Sequence, residues 1–185
     1  MQRRGDEEPD TTQIRTLQTV GDREIQGLSD LLIDCVEGGA SVGFMLPMSR
    51  AKAQAYWHSM SASVTRGERV VLAAADAAGT IVGTVQVILT QPENQPHRGD
   101  IAKMLVHRRA RRRGVGAALL AAAERSPLEA GKTLLVLDTA SDDAERLYAR
   151  QGWQRCGQIP SYALWPNGNP CATTIFFKFL CSQPG

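Results

Sequence analysis

The run Arg111-Arg112-Arg113-Gly114-Val115-Gly116-Ala117 is where chemistry first becomes legible in this chain of 185 residues. It follows an apolar stretch, Ile101 to Val106, and opens an alanine-rich one, Ala117 to Glu124. That order reads as a strand, a basic glycine turn and a helix. Such a turn aims several backbone N–H groups at one point, and the helix dipole adds positive potential there. Gly114 and Gly116 let a ligand come close to the main chain. The expected donors are the N–H groups of Arg113, Gly114, Val115, Gly116 and Ala117. The ligand this suits is a pyrophosphate.

The spacing is more informative than the glycines alone. Arg-x-x-Gly-x-Gly-Ala, preceded by Met104-Leu105-Val106-His107, resembles the acetyl-CoA turn of the GCN5-related N-acetyltransferases, the GNAT superfamily. Further on, Ala144-x-x-Leu147-Tyr148-x-x-x-Gly152-Trp153 resembles the second signature of that family. Within the superfamily, Gly38-Gly39-Ala40-Ser41-Val42-Gly43-Phe44-Met45, Leu137-Asp138-Thr139 and Tyr162 resemble the tabtoxin resistance type, which acetylates an amino group of a β-lactam toxin. The resemblance implies acetyl-CoA as co-substrate, a small-molecule amine as acceptor, a resistance role and a homodimer. It implies cofactor contacts from Arg111 to Ala117 and from the backbone of Met104, Leu105 and Val106. It implies acceptor contacts at Gly39, Ser41, Phe44 and Tyr162, and Trp57 and Trp165 are further candidates for that pocket. Two positions depart from the pattern. Ser141 stands where asparagine commonly contacts pantetheine, and Arg112 stands where many members have glycine.

The reaction so implied sets three needs: a held thioester, a neutral amine and a proton for the leaving thiolate. A free alkylamine has a pKa near ~10, so at pH 7 almost all of it is ammonium and cannot attack. A carboxylate, directly or through water, has to take that proton. Asp138 ends an otherwise apolar strand, Leu134 to Leu137, and strand carboxyl ends face the ligand crevice in open α/β sheets. Asp100 begins the strand that leads to the glycine turn. Asp138 could equally cap the next helix, and Asp100 could be a loop charge after Gly99. Tyr148 is the candidate general acid, since a phenol near ~10 can protonate a thiolate whose acid lies near ~8.5. Outside the motif its ring would be read as packing.

These residues need a scaffold, and the pattern supplies an α/β one. Ile14 to Leu17 reads as a strand. Arg23 to Val36 has apolar residues at helical spacing, and a second helix runs from about Ser49 to about Thr65. Val70 to Ala75 and Thr80 to Leu89 are strands joined by a hairpin turn at Asp76 to Gly79. Asp100 to Val106 is a strand and Gly114 to Arg125 a helix. Thr133 to Leu137 is a strand, Asp142 to Gln151 a helix, and Gln154 to Leu164 and Thr173 to Phe179 are strands. The unit from Asp100 to Leu137 requires one parallel pair with a right-handed crossover. The expected fold is a mixed, mostly antiparallel sheet with one parallel pair and helices on both faces, as the resemblance also implies. One domain spans residues 13–181, between flexible segments at 1–12 and 182–185. The last strand could pair within the subunit or complete a dimer.

Composition narrows the function classes. Apolar content is 43%, charged content 22% and net charge +2, so no general attraction to nucleic acid or to anionic membranes is expected. The basic residues Arg108, Arg109, Arg111, Arg112 and Arg113 are clustered, but the helix after them is alanine-rich and reads no bases. Cys35, Cys156, Cys171 and Cys181 have no metal-ligand spacing, so no metal site is expected. The polar start and the absence of a long apolar run favour a cytoplasmic protein. The remaining alternatives are an acetyl-CoA sensor without transferase activity and an acetyltransferase of another small amine.

Overall fold

A computed structural model describes residues 12–180. The flexible ends expected at 1–12 and 182–185, Thr12 apart, lie outside the described residues, as does Cys181. Seven strands form one sheet in the order β1-β2-β3-β4-β5-β7-β6. They are β1 (Gln13–Thr16), β2 (Arg69–Ala75), β3 (Ile81–Ile88), β4 (Arg98–Val106), β5 (Leu134–Thr139), β6 (Gln154–Leu164) and β7 (Pro170–Phe179). The helices are α1 (Asp22–Glu37), α2 (Arg50–Thr65), α3 (Val115–Arg125) and α4 (Asp142–Arg150). Every pairing is antiparallel except β4 with β5. The expected mixed sheet is therefore present. The last strand pairs inside the chain, between β5 and β6.

Each helix forms because its apolar residues recur on one side. Helix α1 buries Ile25, Leu28, Leu31, Leu32, Cys35 and Val36, the i, i+3, i+4 stripe that a packed helix needs. Helix α2 starts at Ser49, whose hydroxyl accepts a hydrogen bond from the Lys52 N–H at 3.2 Å. Two cores result, one on each face of the sheet. One holds α1 and α2 with Leu17, Val71, Ala73 and Leu105. The other joins α3 to Val85, Val87, Ile101, Leu135, Leu137, Tyr148 and Phe176. Trp57, a candidate for the acceptor pocket on sequence grounds, belongs to the first core with no exposed surface. This corrects that expectation: spacing with Ala53 and Val64 turns the indole inward.

The parallel pair positions the site. Strands β4 and β5 are in register only from Arg98↔Leu134 to Asp100↔Val136. Both continue, to Val106 and Thr139, without further pairing to each other. The β5-facing edge of β4 beyond Asp100 thus lacks a strand partner, and a wedge opens toward the glycine turn. On its other edge β4 carries an irregularity against β3, between Thr84 and Gln86. Lys103 sits there with φ of +49°. The irregularity reverses the strand's faces. Ile101 packs on the α3 side, whereas Leu105, four residues on, packs on the α1/α2 side. In an unbroken strand those two would share a face.

Candidate functional site

The glycine turn closes the wide end of the wedge. Arg112 and Gly114 both have positive φ, 62° and 81°, which curls the main chain around one point. Gly114 is the N-cap of α3 and offers no side-chain cap. The first N–H groups of α3 are thereby left for a ligand, as an anion site at a helix start requires. A Cβ on Gly116 would stand 3.2 Å from Leu147 Cδ2, so glycine there lets α3 and α4 come together. The two sequence signatures meet at that contact.

The arginine cluster divides into two kinds. Arg108 is a structural residue: its N–H and Nε donate to the two Asp34 carboxylate oxygens at 2.9 and 2.8 Å. Arg109 donates from Nη2 to Asp76 at 2.8 Å. Arg111 Nε donates to the Val106 carbonyl at 3.2 Å, so that acceptor, one of the expected backbone contacts, is already taken. Arg111, Arg112 and Arg113 are exposed around the turn. Asp34 ties α1 to the end of β4. Burial pushes its pKa up, but the hydrogen bonds from Arg108 and the charges of His107 and Arg108 more than offset this, leaving it below the usual carboxylate range. A carboxyl with a lowered folded-state pKa contributes stability above about pH 4 and loses it as pH falls through the folded value. Asp34→Ala is expected to cost about 1–3 kcal/mol in urea unfolding at pH 7, and the difference from the parent should shrink below about pH 4. A difference as large at pH 3 as at pH 7 would assign the effect to packing.

Asp138 lies near enough to Tyr148 to act on it electrostatically, whereas Asp100 lies at the closed end of the seam. Asp138 is the exposed member of β5, paired in register with Ile175. It does not cap α4, because Ser141 does, accepting from the Ala144 N–H at 3.4 Å. That use of the Ser141 hydroxyl is what the structure gives for the expected pantetheine contact. Tyr148 is 3% exposed and packs its ring against Trp153 and Phe176, at 5.9 and 5.7 Å between centroids. Its hydroxyl has no hydrogen-bond partner among the described residues. Burial, and then the charge of Asp138, push the phenol well above its usual range. Asp100 is already engaged. Its Oδ2 accepts from Gln91 and Arg98 at 3.2 Å each, and Arg98 Nε lies 3.1 Å from Oδ1.

The glycine-rich segment after α1 reaches across the sheet to the β6–β7 turn. Ser41 Oγ donates to the Leu164 carbonyl at 3.2 Å, and the Leu46 N–H to the Pro166 carbonyl at 3.0 Å. Gly39, with φ of +85°, lines a cavity of about 500 Å³ there with Trp165. Phe44 turns the other way, edge-on to Tyr56 at 5.3 Å. Tyr162 stands on the outer strand, 55% exposed. Lys103 was not foreseen, although a lone charge inside the apolar run 101–106 was a usable signal. Its Nζ lies 5.7 and 5.5 Å from the Phe44 and Tyr56 ring centres. Tyr56 and Arg69 both reach Gln86, a fully buried residue. Among the described residues no cluster of His, Cys, Asp or Glu could hold a metal ion, and no helix is long and apolar enough to cross a membrane.

The family model described as the acetyltransferase (GNAT) family matches residues 30–153. Solved structures share the fold. A GNAT superfamily phosphinothricin acetyltransferase of Sinorhizobium meliloti, in complex with acetyl-CoA, is 16% identical with a TM-score of 0.75, over 95% of this chain and 94% of that one. A ribosomal-protein-alanine N-acetyltransferase of Brucella melitensis is 20% identical with a TM-score of 0.73, over 91% and 99%. An N-acetyltransferase of Staphylococcus aureus is 13% identical with a TM-score of 0.75, over 92% and 99%. At such identities the likeness is one of fold.

Proposed function

We infer the reaction from a premise the family match supplies: this chain belongs to the acetyltransferase (GNAT) family and is an acyltransferase. The reading is direct transfer of acetyl from acetyl-CoA to a primary amine of a small molecule, with no covalent enzyme intermediate. A tabtoxin-type β-lactam amino acid is one acceptor within it.

The observation that carries this reading is the wedge between β4 and β5, with the uncapped turn at its wide end and Asp138 and Tyr148 along its side. Acetyl-CoA fits what the residues offer. The first N–H groups of α3 and the surrounding arginines suit a pyrophosphate. The unpaired edge of β4, at Met104 and Leu105, suits the amide groups of a pantetheine arm. When bound, acetyl-CoA supplies an activated acyl group and a thiolate leaving group.

The chain's own residues would do the rest. Asp138 attracts the ammonium form of the acceptor and takes its proton, through water where needed, because it is exposed. Tyr148 is held in its protonated form and presents an uncommitted O–H. It donates to sulfur as the C–S bond breaks. Asp100, engaged by Arg98 and Gln91, has a positioning role in this reading.

The test is thiol release from acetyl-CoA against a panel of small amines that includes a tabtoxin-type β-lactam amino acid. Turnover with any member is the expected result. Acetyl-CoA binding without turnover across the panel would favour a sensor.

A further inference from the structure

We propose that the acceptor carries an acidic group as well as its amine, and that Lys103, with Arg69 beside it, receives that group. This rests on the transferase reading above and narrows it to one class: amino acids and related amines bearing an oxyacid.

Lys103 is placed at some cost. A left-handed backbone is rare for a residue with a side chain such as lysine and is strained. The strand irregularity that imposes it turns the side chain to the α1/α2 face, over Phe44 and Tyr56. There the ammonium donates no hydrogen bond to any described residue. Arg69 stands near enough for the two cations to feel each other. It gives one guanidinium N–H to Gln86, while its Nε is buried with no acceptor. Two neighbouring cations with unused donors are unfavourable. An anionic ligand would satisfy both.

The aromatic rings alone could hold a lone lysine through cation–π attraction. They do nothing for Arg69, and they do not explain two like charges set together. The negative counterpart is Asp138, near enough to act electrostatically on Lys103. Asp138 on one side and Lys103 with Arg69 on the other form a dipolar receptor. A zwitterion matches it with its ammonium toward Asp138 and its acid toward Lys103.

The experiment compares matched pairs at saturating acetyl-CoA: ornithine with putrescine, lysine with cadaverine, histidine with histamine. Lys103→Met keeps a long side chain between the two rings without the charge. The wild-type enzyme is expected to favour the carboxylated member of a pair by about tenfold or more in kcat/KM, mainly through KM. Lys103→Met should lose about that factor on the carboxylated member and little on its partner. Equal use of both members by the wild type overturns the proposal and leaves the transferase standing. So does an equal loss on both members in the variant, which would place Lys103 at the thioester or in the scaffold. Failure of every pair to release thiol overturns the proposal and the transferase reading together. Thermal stabilisation by acetyl-CoA, measured on the variant, checks that it folds. Should Lys103→Met not fold, Lys103→Gln is used, and the wild-type comparison still decides.

Discussion

Replacing Tyr148 with phenylalanine is expected to lower kcat about 100-fold while changing KM for acetyl-CoA little. The substitution removes one atom that the fold does not use. The ring keeps its contacts with Trp153 and Phe176, and the hydroxyl has no partner to lose among the described residues. Thermal stability should therefore stay close to that of the parent, which separates chemistry from packing. The phenol's raised pKa sets how it can act. It gives up a proton only against a gradient, because a thiol near ~8.5 is the stronger acid. Transfer is therefore expected to accompany C–S cleavage, when negative charge is building on sulfur close by. Steady-state kinetics with one good acceptor decides the matter. An unchanged kcat would leave Tyr148 as a packing residue.

Asp138→Asn is expected to cost about 100-fold in kcat/KM for the amine at neutral pH, with the loss shrinking as pH rises. The reason lies in the acceptor. Near pH 7 only about one part in a thousand of an alkylamine with a pKa of ~10 is neutral. Without a group to take the proton, the enzyme must wait for that fraction, which grows about tenfold per pH unit. The same substitution removes the negative charge that helps to hold Tyr148 protonated and that draws the ammonium in. Rates measured from pH 6 to pH 9.5 test this. A variant whose pH–rate curve parallels the wild type would remove Asp138 from proton transfer.

How much of this was legible in the sequence depended on whether the cause was local. Helix α1 was read from its apolar stripe and the glycine turn from residues that set their own backbone. Asp138 was found because an acid at the end of an apolar run is conspicuous. Its competing reading as a helix cap was settled by Ser141, three residues on, where either residue would have fitted the pattern. The arginine cluster looked uniform because its sorting depends on distant partners. Asp34 claims Arg108 from 74 positions away, and Asp76 claims Arg109 from 33. Lys103 shows in the sequence only as a lone charge inside an apolar run; where it points follows from how β4 slips against β3, which no short stretch of residues encodes.

The short β4–β5 ladder makes the sheet less one body than its seven strands imply. Four strands form one plate and three another, and between them only Arg98, Gly99 and Asp100 meet Leu134, Leu135 and Val136. One face of this joint is sealed by the core around Leu119, Leu137 and Phe176. Beyond Asp100 no rung of the ladder joins the two plates, as in a book bound along part of its spine. The Arg98–Asp100 pair, with Gln91, lies wholly on the β3–β4 side and stiffens that edge of the last rung. A ligand lying in the wedge would take the place of the missing rungs and bind the plates for the rest of their length. Asp100 would then matter less for what it reacts with than for how firmly its own page is held.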